Sequence, residues 1–225
     1  MDPETGEVLA MATTPGFDNN HFGSTRPEFH RIRSITDQFE PGSTFKVVST
    51  VSALYDGLIS LNDEFNCENG SFEYHTKKVT DHESYSMLTA SQIIHHSSNI
   101  GIIKIMDQVG QKKLFSMSRD FGFGSKTGIN LNGEVSGKLN HYNNWSAVSL
   151  GMIAMGHEVG VTAIQLASAY CAIANGGYLL KPRIVKQIMD ESENIIFSEE
   201  PVVVRKIADD STIESVRNML RGVVV

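Results

Sequence analysis

From Phe45 onward the apolar positions recur at helical steps. Phe45 and Val48 fall on one side, and Val47, Val51 and Leu54 follow at three- and four-residue intervals until Asp56-Gly57 ends the run. Pro41-Gly42 breaks the preceding segment, so Ser43 is expected at or just before the N-terminus of this helix. Three capping boxes announce further helices. Thr89-Ala90-Ser91-Gln92 opens one that runs toward His95-His96-Ser97-Ser98-Asn99, after which Ile102, Ile103, Met106 and Val109 mark a helical face ending near Gly110. Thr162-Ala163-Ile164-Gln165 opens another, carried by Leu166, Ala169, Tyr170 and Ile173 to a stop at Asn175-Gly176-Gly177. It is apolar over much of its girth and is expected to be central. Ser211-Thr212-Ile213-Glu214 starts the last, with Ile213, Val216 and Leu220 on one face and Gly222 as its break.

Between these helices the pattern changes. Val8 to Ala12, after the turn chemistry of Asp2-Pro3-Glu4-Thr5-Gly6-Glu7, reads as a buried strand. Residues 184–188 and 195–204 alternate like strands with an exposed face around an Asp190–Asn194 turn, and Val223-Val224-Val225 has the composition of a buried strand. Residues 15–39 are polar and aperiodic, as expected of a surface loop. Residues 58–85 suggest irregular structure with a small hairpin around Phe72 and Val79, and the glycines between Phe115 and Leu139 suggest a structured loop.

At 225 residues the chain can bury a full core, as one large domain or one domain with a subdomain. A formal net charge of -7 and the lack of a Lys/Arg cluster argue against nucleic acid as a partner. No apolar run reaches the length of a membrane span and no signal peptide is recognisable, so a targeting element of the parent protein is expected outside this stretch. Cys67 and Cys171 read as buried thiols rather than a bridge. His75, Asp81, His82 and Glu83 fit no metal-ligand spacing and are expected to be solvated loop side chains.

The chemistry sits in Glu40-Pro41-Gly42-Ser43-Thr44-Phe45-Lys46. A serine becomes nucleophilic when a base takes its proton, and a lysine can be that base only if burial or a neighbouring cation lowers its pKa. Lys46 lies one turn after Ser43 on the same helix face, and unpaired N–H groups at the helix start favour a developing oxyanion. The bland alternative is a serine cap followed by a surface lysine. Ser-x-Asn occurs three times, at Ser60-Leu61-Asn62, Ser97-Ser98-Asn99 and Ser192-Glu193-Asn194. Only Ser97-Ser98-Asn99 lies between two helical segments; there the serines could simply satisfy helix-end N–H groups, with Asn99 as a left-handed turn residue.

In order and flanking sequence these motifs resemble the transpeptidase domain of penicillin-binding proteins, serine acyltransferases that pair Ser-x-x-Lys with Ser-x-Asn and Lys-[Ser/Thr]-Gly. The resemblance covers nearly the whole chain: the opening turn with Leu9-Ala10-Met11, the Ser43 segment, Ser97-Ser98-Asn99-Ile100-Gly101, the loop Phe121-Gly122-Phe123-Gly124 with Thr127-Gly128-Ile129, and the helix after Thr162. Thr36 to Pro41 is closer to monofunctional, division-type members. The family's Lys-Thr-Gly follows the late core helix, whereas Lys126-Thr127-Gly128 precedes it and reads as an exposed loop lysine. Glu134 reads as a structural loop acid. Residues 1–225 are thus expected to be a partial transpeptidase domain of a longer protein, without the family's third-motif strand, N-terminal pedestal and membrane anchor.

The resemblance implies an α+β fold of the penicillin-binding-protein/serine β-lactamase type, with an antiparallel sheet flanked by helices, a helical lobe and the sheet incomplete. It implies a peptidoglycan D,D-transpeptidase in which Ser43 is the nucleophile, Lys46 its base, Ser97 a proton relay and Asn99 a substrate-binding residue. No cofactor or metal is implied. Implied partners are peptidoglycan stem peptides, β-lactam antibiotics and, through the parent chain, division-complex membrane proteins at an extracytoplasmic site. A β-lactamase or D,D-carboxypeptidase, and a non-catalytic β-lactam-sensing or scaffold module, are the competing expectations. Without the third-motif strand, the stretch alone is expected to be an impaired enzyme.

Overall fold

The computed structural model describes residues 1–223. A one-turn helix α1 (Arg33–Thr36) is followed by α2 (Lys46–Leu54), strand β1 (Glu64–Asn66), the hairpin β2 (Ser71–Tyr74) and β3 (Lys77–Thr80), and β4 (Met87–Thr89). Helices α3 (Ala90–His95), α4 (Asn99–Val109), α5 (Gln111–Asp120), α6 (Ser149–Ala154) and α7 (Ala163–Ala174) come next. Strands β5 (Tyr178–Leu180), β6 (Gln187–Met189), β7 (Ile195–Ser198) and β8 (Val203–Lys206) then lead to α8 (Asp210–Arg221). All strand pairs are antiparallel and two-stranded among the described residues: β1 with β4, β2 with β3, β5 with β8 and β6 with β7. The mixed α+β class is as expected, and the β2–β3 register pairs Phe72 with Val79, where the sequence placed a hairpin.

Helix α2 is the centre of the molecule. Every residue from Lys46 to Ala53 is buried, so the expected one-sided apolar stripe is in fact a helix enclosed all round by α4, α5, α6 and α8. Val47, Val48 and Val51 are at most 3% exposed, and each contributes about 1.5–3 kcal/mol by leaving water. Phe45, just ahead of the helix, packs against Phe123 with ring centroids 5.1 Å apart. The capping boxes at Thr89 and Thr162 form as read, each with its reciprocal Gln bond.

Several expectations are corrected. Residues 8–12 form no strand: Glu7 makes a single parallel bridge to Arg183, Leu9 is 69% exposed, and Val8 and Met11 pack on a small cluster around Ile35, Ile129 and Ile164. That cluster also anchors α1 inside the supposed surface loop. The glycine-rich loop begins later than expected, because Leu114, Met117 and Phe121 form a buried i, i+3, i+7 face and residues 111–120 are helical. Helix α6 was not legible at all, since it is short and has Gly151 at its middle. A Cβ at Gly151 would lie 2.6 Å from the Tyr74 ring and 3.0 Å from Ile103, so glycine is what lets α6 lie against α4. The last helix is capped not by Ser211 but by Asp209, whose carboxylate accepts from Thr212 N–H at 2.8 Å. Val223 is half exposed, and the remainder of the expected terminal strand, Val224-Val225, lies outside the described residues.

Candidate active site

Ser43 sits in a 3-10 turn, Gly42–Phe45, that leads directly into α2. Gly42 takes φ +57°, and the Thr44 hydroxyl tightens the turn by donating to the Pro41 carbonyl at 2.7 Å. The Ser43 side chain is exposed, while Lys46, whose N–H donates to the Ser43 carbonyl, is only 3% exposed. The sequence-predicted residues Lys46, Ser97 and Asn99 meet here. Lys46 Nζ donates to the Ser97 carbonyl at 2.5 Å, to Ser97 Oγ at 3.0 Å and to Asn99 Oδ1 at 2.8 Å. No hydrogen bond joins the Ser43 and Lys46 side chains among the described residues.

Three acceptors match the three donors of a protonated amine. Loss of one proton leaves a lone pair into which a neighbouring hydroxyl can donate. Burial makes that loss easy: desolvation pulls the Lys46 amine from 10.5 down to about 8, against the opposing pull of the Asp81 carboxylate. A base poised close to neutral pH is what activation of a serine requires.

The 97–99 loop divides its labour. Ser98 is the helix cap, its Oγ accepting from Gly101 N–H at 2.9 Å. Ser97, not Asn99, is the left-handed residue, at φ +52°, and this turns its hydroxyl and carbonyl toward Lys46. Asn99 opens α4 and spans the gap, its Oδ1 on Lys46 and its Nδ2 donating to the Thr80 carbonyl at 3.0 Å.

The other wall was not foreseen. Gly42 N–H donates to the Gly156 carbonyl at 3.1 Å, and a Cβ on Gly156 (φ +86°) would lie 2.1 Å from the Gly42 oxygen. Phe39 bridges Val161, and Glu40 accepts from Glu158 N–H at 2.9 Å and pairs with His157 at 3.0 Å. Those two bonds hold the Glu40 carboxyl below its ordinary range. Tyr170 donates to the Thr44 carbonyl at 3.0 Å. Met155-Gly156-His157 carries no local motif that would have announced this wall.

The other motif matches lie elsewhere. Ser60 bonds Asp63, and Asn194 bonds Asp190 in the ribbon turn. Lys126 is exposed, and Thr127 and Gly128 donate to the buried Glu134 carboxylate, a loop-building role. Asp81 departs from the expectation of a solvated side chain. It accepts from Ser98 Oγ at 2.6 Å and from Asn99 and Ile100 N–H at 2.5 and 3.1 Å, because the end of β3 delivers it to the head of α4. Cys67 and Cys171 are both free thiols, the first buried and the second half-buried. Among the described residues no group of three or more His, Cys, Asp and Glu side chains could hold a metal.

The family profile described as Penicillin binding protein transpeptidase domain matches residues 1–225. The chain is 31% identical over its whole length to Stage V sporulation protein D of Bacillus subtilis (strain 168), covering 35% of it. It is likewise 31% identical to Peptidoglycan D,D-transpeptidase FtsI of Escherichia coli (strain K12), with 99% of this chain and 36% of that protein aligned. The chain thus spans about a third of the length of the curated relatives it matches. In shape it is similar to penicillin binding protein 3 of Mycobacterium tuberculosis complexed with ampicillin, with TM-score 0.86 and 28% identity, over all of this chain and 50% of that one.

Proposed function

The chain belongs to the penicillin-binding protein transpeptidase family, and from that premise we propose that it carries the nucleophile of a peptidoglycan D,D-transpeptidase, as a major part of the transpeptidase domain of its parent protein. The observation that carries this reading is the buried Lys46 amine, bonded to Ser97 and Asn99 one helical turn from the exposed Ser43. Neutral Lys46 takes the Ser43 proton as Oγ attacks the carbonyl of the penultimate D-alanine of a stem peptide. Ser97 passes a proton to the departing amine, terminal D-alanine leaves, and the acyl group rests on Ser43. The amine of a second stem peptide then attacks the ester, forming the cross-link and returning the serine hydroxyl. Asn99 hydrogen-bonds the substrate amide and holds Lys46 in place. The Ser43 N–H at the helix start supplies one donor to the oxyanion.

A β-lactam acylates the same serine, as the ampicillin complex named for the Mycobacterium relative suits. The relatives named for sporulation and for peptidoglycan D,D-transpeptidation support a wall-building protein; we propose that it is of the division type, acts on the extracytoplasmic side and works with other division proteins. Among the described residues no helix is long and apolar enough to cross a membrane; we propose that the parent protein carries an anchor elsewhere in its chain.

The test is covalent labelling of the parent protein with a fluorescent penicillin, with Ser43→Ala beside it. Labelling lost in Ser43→Ala and retained through gel electrophoresis supports the acyl-enzyme. A folded protein that is never labelled removes the acyltransferase reading, and rapid turnover of penicillin would replace it with a β-lactamase.

A further inference from the structure

Helix α4 begins on a loop that must hold Ser97 and Asn99 against Lys46, and the clamp on that loop comes from outside it. Asp81 follows β3, and its own N–H is fixed to the Gly70 carbonyl at 3.1 Å. One oxygen of its carboxylate accepts from Asn99 and Ile100 N–H, the first two donors of α4, and the other accepts from Ser98 Oγ. One residue earlier, the Thr80 carbonyl accepts from Asn99 Nδ2 and so fixes which amide atom faces Lys46. The hairpin exit therefore sets both the backbone of the loop and the orientation of the amide.

We propose that Asp81 is a positioning residue for the Ser43–Lys46 site, pinning the Ser97–Asn99 loop that holds the Lys46 amine. The inference rests on the acyl-transfer reading and adds a control to it. The Asp81 carboxylate opposes the downward pull that burial exerts on the Lys46 amine. Charged side chains on the helices packed against α2 are engaged elsewhere or point to solvent: Lys104 with Glu68, Asp107 with Tyr74, Lys113 with Asp56, Arg119 with the Phe123 carbonyl, Asp120 with Arg205, Asp210 with Lys206, Arg217 with Glu214 and Arg221 with Asn218, with Lys112 exposed, while α6 carries none. A buried amine without any counter-charge would lose its proton at lower pH and be a weaker base. Asp81 restrains that fall while its hydrogen bonds do the positioning.

The experiment compares wild type, Asp81→Asn and Asp81→Ala in the parent protein. It reads penicillin acylation rate against pH, together with an NMR titration of the 13C-labelled Lys46 side chain. Asp81→Asn keeps an acceptor for the two N–H groups but not the charge. The Lys46 titration and the acid limb of the acylation profile are expected to move together to lower pH, by about half a unit or more. Asp81→Ala is expected to cost about tenfold or more in the plateau rate through the loosened loop. If the Asp81→Asn titration overlays wild type, the electrostatic part is wrong; if Asp81→Ala acylates at the wild-type rate, the pinning part is wrong. A folded wild type that is not acylated defeats the acyl-transfer reading alone, because the Lys46 titration still decides what Asp81 does to the amine.

Discussion

Helix α2 and the β6–β7 ribbon are both written in β-branched and aliphatic residues, yet one is the most enclosed segment of the molecule and the other among the most exposed. Val48 and Val51 have no exposed surface, while Ile188, Ile195 and Ile196 are 51%, 57% and 68% exposed. The difference lies in partners. Four helices close on α2, whereas β6 and β7 pair with each other alone among the described residues, and a two-stranded ribbon has no second layer to cover its faces. Hydrophobicity says what a segment can bury; topology decides whether it does.

The contrast is sharpened most by Gly156→Ala. The added methyl would collide with Gly42 backbone, which cannot swing aside as a side chain can, and alanine is disfavoured at φ +86°. A loss of about 2–4 kcal/mol in unfolding free energy, with acylation largely abolished, is expected from denaturant melts and penicillin labelling. A variant as stable and reactive as wild type would show that the wall is not packed as described.

A smaller effect follows from the Lys46 amine. With its pKa lowered to about 8, the base-competent fraction, and with it the acylation rate, should climb through pH 8 and level off above it. Stability carries the matching sign. Between about 8 and 10.5 the unfolded chain holds the Lys46 proton and the folded chain does not, so this residue's contribution to stability rises with pH across that window. Below it the cost of burying a charge is borne in full. A rate independent of pH between 6 and 9 would contradict the assignment of Lys46 as the base.

The smallest effect belongs to the ribbon. Ile196→Ser should change unfolding free energy by less than about 0.5 kcal/mol and leave penicillin labelling alone. A loss above 1 kcal/mol would mean that the ribbon is covered in the intact protein, and the contrast with α2 would collapse.

What could be read from sequence was local. Capping boxes state their own geometry, so α3 and α7 began where Thr89 and Thr162 placed them, and Ser43, Lys46, Ser97 and Asn99 stood out through motif order. What could not be read was long-range. Nothing in Asp81 announces that β3 will carry it to the head of α4, and nothing in Glu40 names His157 as its partner. Helix α5 was hidden by the glycines after Phe121, and α6 by a glycine that serves packing rather than a turn. Residues 8–12 failed as a strand because strand-like composition does not supply a neighbour to pair with.

The contact between Gly42 and Gly156 has a consequence for the order in which a ribosome delivers this site. Ser43 and Lys46 leave the exit tunnel ahead of that wall, because Glu40 and His157, which help brace their turn, are 117 residues apart in sequence. At about 5–20 residues per second, the interval between them is roughly 6–25 s of synthesis. Through that interval the nascent serine has its neighbours in sequence and lacks its brace in space. On the proposed reading, reactivity comes no earlier than the segment around Gly156, and a stalled chain that ends before it should carry the motif without the chemistry.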